Sequence, residues 1–376
     1  MLVDMNSTTA MNSREFRVFL SKASSILQKG RVPSLSVAVT RHDGLIYSQS
    51  FGYADLQEQK LATPETSYLW FSMSKIVTAT AILRLVDEGH LDLDAPISEF
   101  IPSYKSKNLG EQPRVGQLLN HTAGVANPVP IRWVRPAIHS DFNSHDFLAS
   151  QLKRHGTSKY PIGKAARYSN LGYLMLAEIV SQTSQRTFED YVREQVLAPA
   201  GMSRTDYGYL DSADRAVGYV HAPRIVVPLL RTLLPQGIVG DRHGDFQSFR
   251  PFIVNGAGYG GLVGDAVDAA RFAALHLSDG MGVGGRVLRA ETARTMRQIR
   301  TPGKPFDFGQ GWFRKSSQSE AKPEFVEHYG SGGGFYNAMR LYPGLDQGIV
   351  LMANTTASYD FNTIFDLLRR VPWDDR

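Results

Sequence analysis

The sequence predicts an α+β fold of the sandwich type, an antiparallel sheet flanked by helices and assembled from both ends of the chain, with a mostly helical unit inserted between them. Three observations carry that reading. Residues 35–40 and 45–52 are strand-like runs joined by His42-Asp43-Gly44, a hairpin signal. From residue 308 the pattern returns to strands, over 309–313, 325–329, 335–342 and 348–353, before a last helix at 360–369. Between these ends apolar residues recur mainly at helical spacing. The 376 residues are expected to form one unit over 1–376, with 15–80 and 255–376 as the sheet subdomain and 81–254 as the helical one.

Taken in order, residues 15–28 carry a helical apolar stripe (Phe16, Phe19, Leu20, Ala23, Ile26, Leu27) closed by Gly30. After the hairpin, Ile76, Ala79, Ile82, Leu83 and Val86 recur every three or four positions and Gly89 follows them, which predicts a buried helix with a glycine stop. Residues 91–96 read as a loop closing onto a short helix at 97–100. A helix at 115–120 leads into the turn His121-Thr122-Ala123-Gly124. Residues 125–163 are rich in Pro, His and Arg with one helix at 146–154, which suggests a surface excursion over a pocket. Apolar helices follow at 171–184 and 188–197. The stretch 206–252 has little periodicity but holds an apolar patch, Ile225, Val226, Val227, Leu229, Leu230, Leu233 and Leu234. Core beneath a loop is the favoured reading of that patch, and the wall of an acyl pocket is the other.

Composition narrows the function. A 42% hydrophobic and 20% charged chain is ordinary for a soluble globular protein. Its net charge of +5 is scattered, and the densest basic stretch, 286–304, has no aromatic residue to stack on bases, so no nucleic-acid partner is expected. The absence of cysteine rules out disulfides and thiolate metal sites. The histidines are dispersed without ligand spacing, so no metal is expected. Residues 1–14 are polar and lack the apolar stretch of a secretory signal, and the longest apolar run, 225–239, is broken by Pro228, Arg231 and Pro235. A cytoplasmic protein without a membrane partner is therefore the expectation, with the periplasm or secretion as alternatives for a trimmed chain. The run Gly256-Ala257-Gly258-Tyr259-Gly260-Gly261 fits a dinucleotide fingerprint, but the second parallel strand that fingerprint needs is missing, so no cofactor is expected.

Three motifs carry chemistry. In Ser72-Met73-Ser74-Lys75 the serine sits in the first turn of the buried helix, and Lys75 at i+3 shares its face, so the amine can meet the hydroxyl. A serine needs a base to become a nucleophile, and the N–H groups of a helix start favour negative charge. Ser150 to Lys153 and Ser319 to Lys322 have the same spacing but no such placement, and read as incidental. Tyr168-Ser169-Asn170 lies in a polar turn before an apolar helix. A phenol acts as a base only if cations lower its pKa, and Lys75 is a candidate cation; Asn170 could hold Lys75, hold a substrate carbonyl, or simply cap the helix. His328-Tyr329-Gly330-Ser331 ends a strand where glycine lets a substrate lie against backbone, and its N–H groups could join that of Ser72 in an oxyanion hole.

In this order the three motifs resemble those of the serine β-lactamase-like, penicillin-recognising family, which includes class C β-lactamases, D,D-peptidases, D-aminopeptidases and family VIII esterases. Leu118-Leu119-Asn120-His121-Thr122-Ala123-Gly124 and Ala200-Gly201-Met202 look similar too, and the likeness runs from about residue 15 to 370. It implies a β-lactamase/transpeptidase-like fold with the active site between the two units. It also implies Ser72 as nucleophile, Lys75 and Tyr168 as the proton-transfer pair, Asn170, His328 and Gly330 as positioning residues, and the N–H groups of Ser72 and Ser331 as oxyanion hole. The departure is at His328-Tyr329-Gly330, where β-lactamases and D,D-peptidases usually carry Lys-Thr-Gly. The expectation is a serine hydrolase of small-molecule esters or amides; β-lactamase, D-aminopeptidase or D,D-peptidase activity, or an acylated sensor without turnover, are the alternatives. Neither the oligomeric state nor the acyl-chain preference is encoded in these motifs.

Overall fold

The hairpin near the N-terminus seeds the main sheet. In the computed structural model, which describes residues 8–29, 31–107, 111–138, 142–210, 214–357 and 359–373, β1 (Ser34–Arg41) pairs antiparallel with β2 (Gly44–Asp55), and β2 with the short β3 (Lys60–Leu61). The C-terminal strands are β4 (Phe306–Phe308), β5 (Phe313–Lys315), β6 (Val326–Gly332), β7 (Phe335–Tyr342) and β8 (Gln347–Ala353). They complete an eight-stranded antiparallel sheet in the order β4-β5-β6-β7-β8-β1-β2-β3. The seam between the two ends is β1 on β8, with Val37 opposite Leu351.

Alternation along the strands makes both faces apolar. Leu35, Val37 and Val39 of β1 and Ile349 and Leu351 of β8 pack with α1 (Arg14–Gln28) and α7 (Phe361–Leu368), through Phe16, Phe19, Ile364 and Phe365. The intervening Ala38, Val350 and Met352 belong to the opposite core, together with Phe272 and Ala273 of α6 (Ala266–Leu277). Ser13 caps α1, accepting the Phe16 N–H at 3.1 Å. Phe19 is fully buried, and a side chain of that kind contributes about 1.5–3 kcal/mol.

Helix α2 (Ser74–Asp87) is buried on nearly every side, which is why its sequence is apolar all round rather than striped. It packs against α4 (Asn170–Ser184) and against the short helix Ala257–Gly260. There the glycine run serves packing: a Cβ on Gly258 would lie 2.6 Å from the Tyr173 carbonyl oxygen. α3 (Ser144–His155) is the helix expected within the 125–163 excursion.

Some expectations are corrected. The strand expected over 309–313 is a turn followed by β5; the Gly309 N–H donates to the Trp312 carbonyl at 2.8 Å and reverses the chain. β6 runs three residues beyond the expected end, through Gly330 to Gly332. The aperiodic 206–252 stretch holds a three-stranded antiparallel sheet (Gly218–His221, Phe246–Phe249, Val239–His243) and the helix α5 (Val227–Leu233). Its alternation is hidden because Gln247 occupies an inward position, where its amide donates to the Gly240 carbonyl at 2.8 Å. The apolar patch around α5 is not core: Ile225, Leu229 and Leu233 are exposed, and Leu230, Leu233 and Leu234 line a cavity. Among the described residues no helix is long and apolar enough to cross a membrane.

Candidate active site

Ser72 lies in a 3-10 turn, Phe71–Met73, that runs directly into α2, so it sits just ahead of the helix rather than within its first α turn. Phe71 has φ +47°, a left-handed conformation that a bulky residue adopts only when its surroundings impose it. They do so here. The Phe71 ring packs against Phe252 and Phe335 at 6.3 and 6.4 Å, and β6 crosses the turn so closely that a Cβ on Gly330 would lie 2.1 Å from the Trp70 carbonyl oxygen and 2.8 Å from Ser72 N. The result turns the Ser72 hydroxyl into a cavity between the sheet and the helical elements.

Lys75 is completely buried, and its Nζ stands 3.0 Å from Ser72 Oγ, 2.8 Å from Asn170 Oδ1 and 2.7 Å from the Tyr259 carbonyl oxygen. No carboxylate forms an ion pair with it among the described residues. Burial therefore holds its pKa well below the ordinary lysine value. The three contacts suit a neutral amine: two N–H groups for the two carbonyl oxygens, and a lone pair for the hydroxyl proton of Ser72.

The Tyr168 hydroxyl donates to Ser72 Oγ at 2.8 Å. Burial pushes its pKa up, opposed by the bond to Ser72, so the phenol keeps its proton and the lowering that a tyrosine base requires is not met. Its ring is held by His121 at 4.7 Å and Phe308 at 6.4 Å. His121 Nδ1 in turn accepts the Ser169 N–H at 3.1 Å, which requires that nitrogen to be unprotonated; burial keeps the ring neutral. Ser169, not Asn170, caps α4, accepting the Gly172 N–H at 3.0 Å. Asn170 is thereby free of the capping role and turns to Lys75, its own N–H held by Asn127 Oδ1 at 3.0 Å.

Of the β6 residues, Ser331 faces the cavity and Gly330 abuts the nucleophile turn. His328 stands apart. It is buried with its ring 4.4 Å from Phe313 and Nδ1 3.0 Å from the Tyr329 carbonyl oxygen, and it is not among the cavity-lining residues. Burial holds it neutral. The structure thus brings Ser72, Lys75, Tyr168 and Asn170 into direct contact, places Gly330 and Ser331 beside them, and adds three partners that the motifs did not reveal: the Tyr259 carbonyl, Asn127 and the His121 ring. For Tyr259 the only sequence signal is the glycine run that lets its backbone approach α2.

The cavity measures about 400 Å³, within the usual range for a small-molecule site. Phe71, Val134, Leu230, Leu234, Phe252 and their neighbours make it apolar, and among the described residues no Lys, Arg, His, Asp or Glu lines it. It is suited to an uncharged apolar group beside the Ser72 hydroxyl.

A family model described as Beta-lactamase matches residues 19–369. Among curated proteins, the chain is 27% identical over 206 residues to Protein flp of Staphylococcus aureus, a match covering 51% of this chain and 39% of that protein, so the alignment spans well under half of the relative. Among solved structures, it resembles the D-amino acid amidase from Ochrobactrum anthropi SV3, at 22% identity and TM-score 0.75 over 95% of this chain and 97% of that one. It also resembles EstCE1, a hydrolase with promiscuous acyltransferase activity, at 20% identity and TM-score 0.70 over 94% and 99%.

Proposed function

The chain belongs to the Beta-lactamase family, and from that premise we propose that it is a serine hydrolase, a carboxylesterase that cleaves neutral esters with apolar acyl groups through an acyl-enzyme on Ser72. One observation carries the reading: Ser72 Oγ meets Lys75 Nζ at 3.0 Å and Tyr168 OH at 2.8 Å at the edge of an apolar, uncharged cavity. Among the solved structures it resembles are an amidase and a hydrolase with acyltransferase activity; the uncharged cavity favours esters over substrates that need an ionic anchor.

The proposed steps follow from the contacts. The Ser72 hydroxyl proton passes to the Lys75 lone pair as Oγ forms its bond to the ester carbonyl carbon. The carbonyl oxygen becomes an oxyanion, received by the N–H groups of Ser72 and Ser331. Collapse breaks the bond to the leaving alkoxide, which takes the proton held by the Lys75 ammonium while the Tyr168 hydroxyl donates a hydrogen bond to it. The acyl group stays on Ser72. Water then attacks the acyl-ester, giving its proton to Lys75, and the acid leaves as Oγ regains its hydrogen by the same route.

The test is Ser72→Ala. Hydrolysis of p-nitrophenyl butyrate and labelling by a fluorophosphonate should both disappear while the melting temperature is unchanged, and the unaltered protein should release product linearly far beyond one equivalent. Labelling that persists on Ser150 or Ser319, or a one-equivalent burst with no steady state for every ester tried, would overturn the proposal.

A further inference from the structure

Two segments frame the mouth of the Ser72 cavity, and both turn large apolar side chains toward water. α5 and the 3-10 turn before it, Arg224–Val226, point Leu230 and Leu234 into the cavity while Ile225 is 86% and Leu229 55% exposed. Facing them, Pro130 and Ile131 line the cavity and Val129 is 74% exposed. Arg132 ties the two segments together, donating to the Leu233 and Thr232 carbonyls at 3.2 and 2.9 Å. Single exposed apolar residues are ordinary, but an apolar patch around the opening of a cavity marks a surface that is covered in use.

Charge identifies what covers it. Residues 125–138 and 216–238 hold no Asp or Glu, and Arg132, Arg224 and Arg231 stand among their apolar side chains; among the described residues no acid lines the cavity. Apolar side chains interleaved with arginines and free of carboxylates are the composition of an element that lies in the boundary of an anionic bilayer. We propose that this rim seats the cavity mouth on a lipid surface bearing anionic headgroups, so that the acyl chain of a lipid ester passes into the cavity without crossing water. The substrate part of the proposal rests on the ester-hydrolase reading; the seating does not. The lack of a spanning apolar run bears on insertion across a bilayer and leaves peripheral seating untouched.

The experiment is cosedimentation of the full chain with vesicles of phosphatidylcholine alone and of equal parts phosphatidylcholine and phosphatidylglycerol. The protein should bind the mixed vesicles and not the neutral ones. The double variant Ile225→Asp, Leu229→Asp, neither residue lining the cavity, should bind the mixed vesicles at least about tenfold more weakly yet hydrolyse a soluble short-chain ester at an unchanged rate. Arg224→Gln with Arg231→Gln should lose about fivefold per charge, and less in high salt. Ser72→Ala should bind like the unaltered protein, which separates failure of the seating from failure of the hydrolase reading. The proposal is overturned if the protein ignores anionic vesicles, or if the aspartate variant binds them as tightly. It is equally overturned if sedimentation velocity shows an oligomer that this variant converts to monomer, because the rim would then be the seat of a second copy.

Discussion

Lys75 is where structure and chemistry are most tightly coupled, because a buried amine without a carboxylate partner is held neutral. Its pKa in the folded chain is lowered below the ordinary 10.5. Between the lowered value and 10.5 the unfolded chain therefore binds one more proton than the folded one, and stability rises with pH at about 1.4 kcal/mol per unit. Below that window the folded lysine is also charged and the slope vanishes. Lys75→Met removes the titrating group, so the melting temperature of the unaltered protein minus that of Lys75→Met should grow by about 2 °C per pH unit from pH 8 to 10. A difference that stays flat with pH would mean that the folded protein holds an ammonium, and Lys75 could not start the reaction as base. The meeting of the serine and the lysine was legible from their spacing together with their place at the start of a buried helix, which Ser150–Lys153 and Ser319–Lys322 lack. The neutral state of the lysine was not, because it depends on the Asn170 side chain and the Tyr259 carbonyl, which approach from 95 and 184 positions away.

At the scale of elements, the contact of β6 with the Phe71–Met73 turn fixes the nucleophile. A Cβ on Gly330 would lie 2.1 Å from one backbone atom and 2.8 Å from another, and backbone cannot move aside as a flexible side chain can. Gly330→Ala should therefore destabilise the chain by about 1–3 kcal/mol and, by displacing Ser72 from Lys75, lower kcat/KM for a neutral ester about a hundredfold. Activity retained within about threefold would show that the turn holds its strained Phe71 without this contact. The elements that were legible share one property. β1, β2, α1, α2 and α4 carry their periodicity within their own residues, or, as in α2, end on Gly89. Those misread owe their form to distant partners: Gln247 breaks the alternation of its strand because its amide serves Gly240, and Leu230 and Leu233 of α5 look like core in sequence but line a cavity.

For the molecule as a whole, the decisive feature is where its charge is absent. A net charge of +5 leaves the chain cationic, yet among the described residues no ionised side chain lines the cavity between sheet and helices. At the position where β-lactamases and D,D-peptidases carry the lysine of Lys-Thr-Gly stands His328, buried and held neutral well below its usual pKa. A carboxylate beside the scissile bond would thus exchange its hydration for an apolar wall, without the charge-assisted bond that a cation supplies. The loss should be about 1.5–3 kcal/mol, roughly ten- to a hundredfold in rate, while neutral esters lose little. The measurement is kcat/KM at pH 7.5 for a short-chain p-nitrophenyl ester, nitrocefin and a D-Ala-D-Ala peptide, each divided by its uncatalysed rate constant. The neutral ester should show the largest enhancement. If nitrocefin or the peptide exceeds it, an arginine from the cavity rim reaches the carboxylate in the bound state, and the selection exerted by the uncharged cavity is lost.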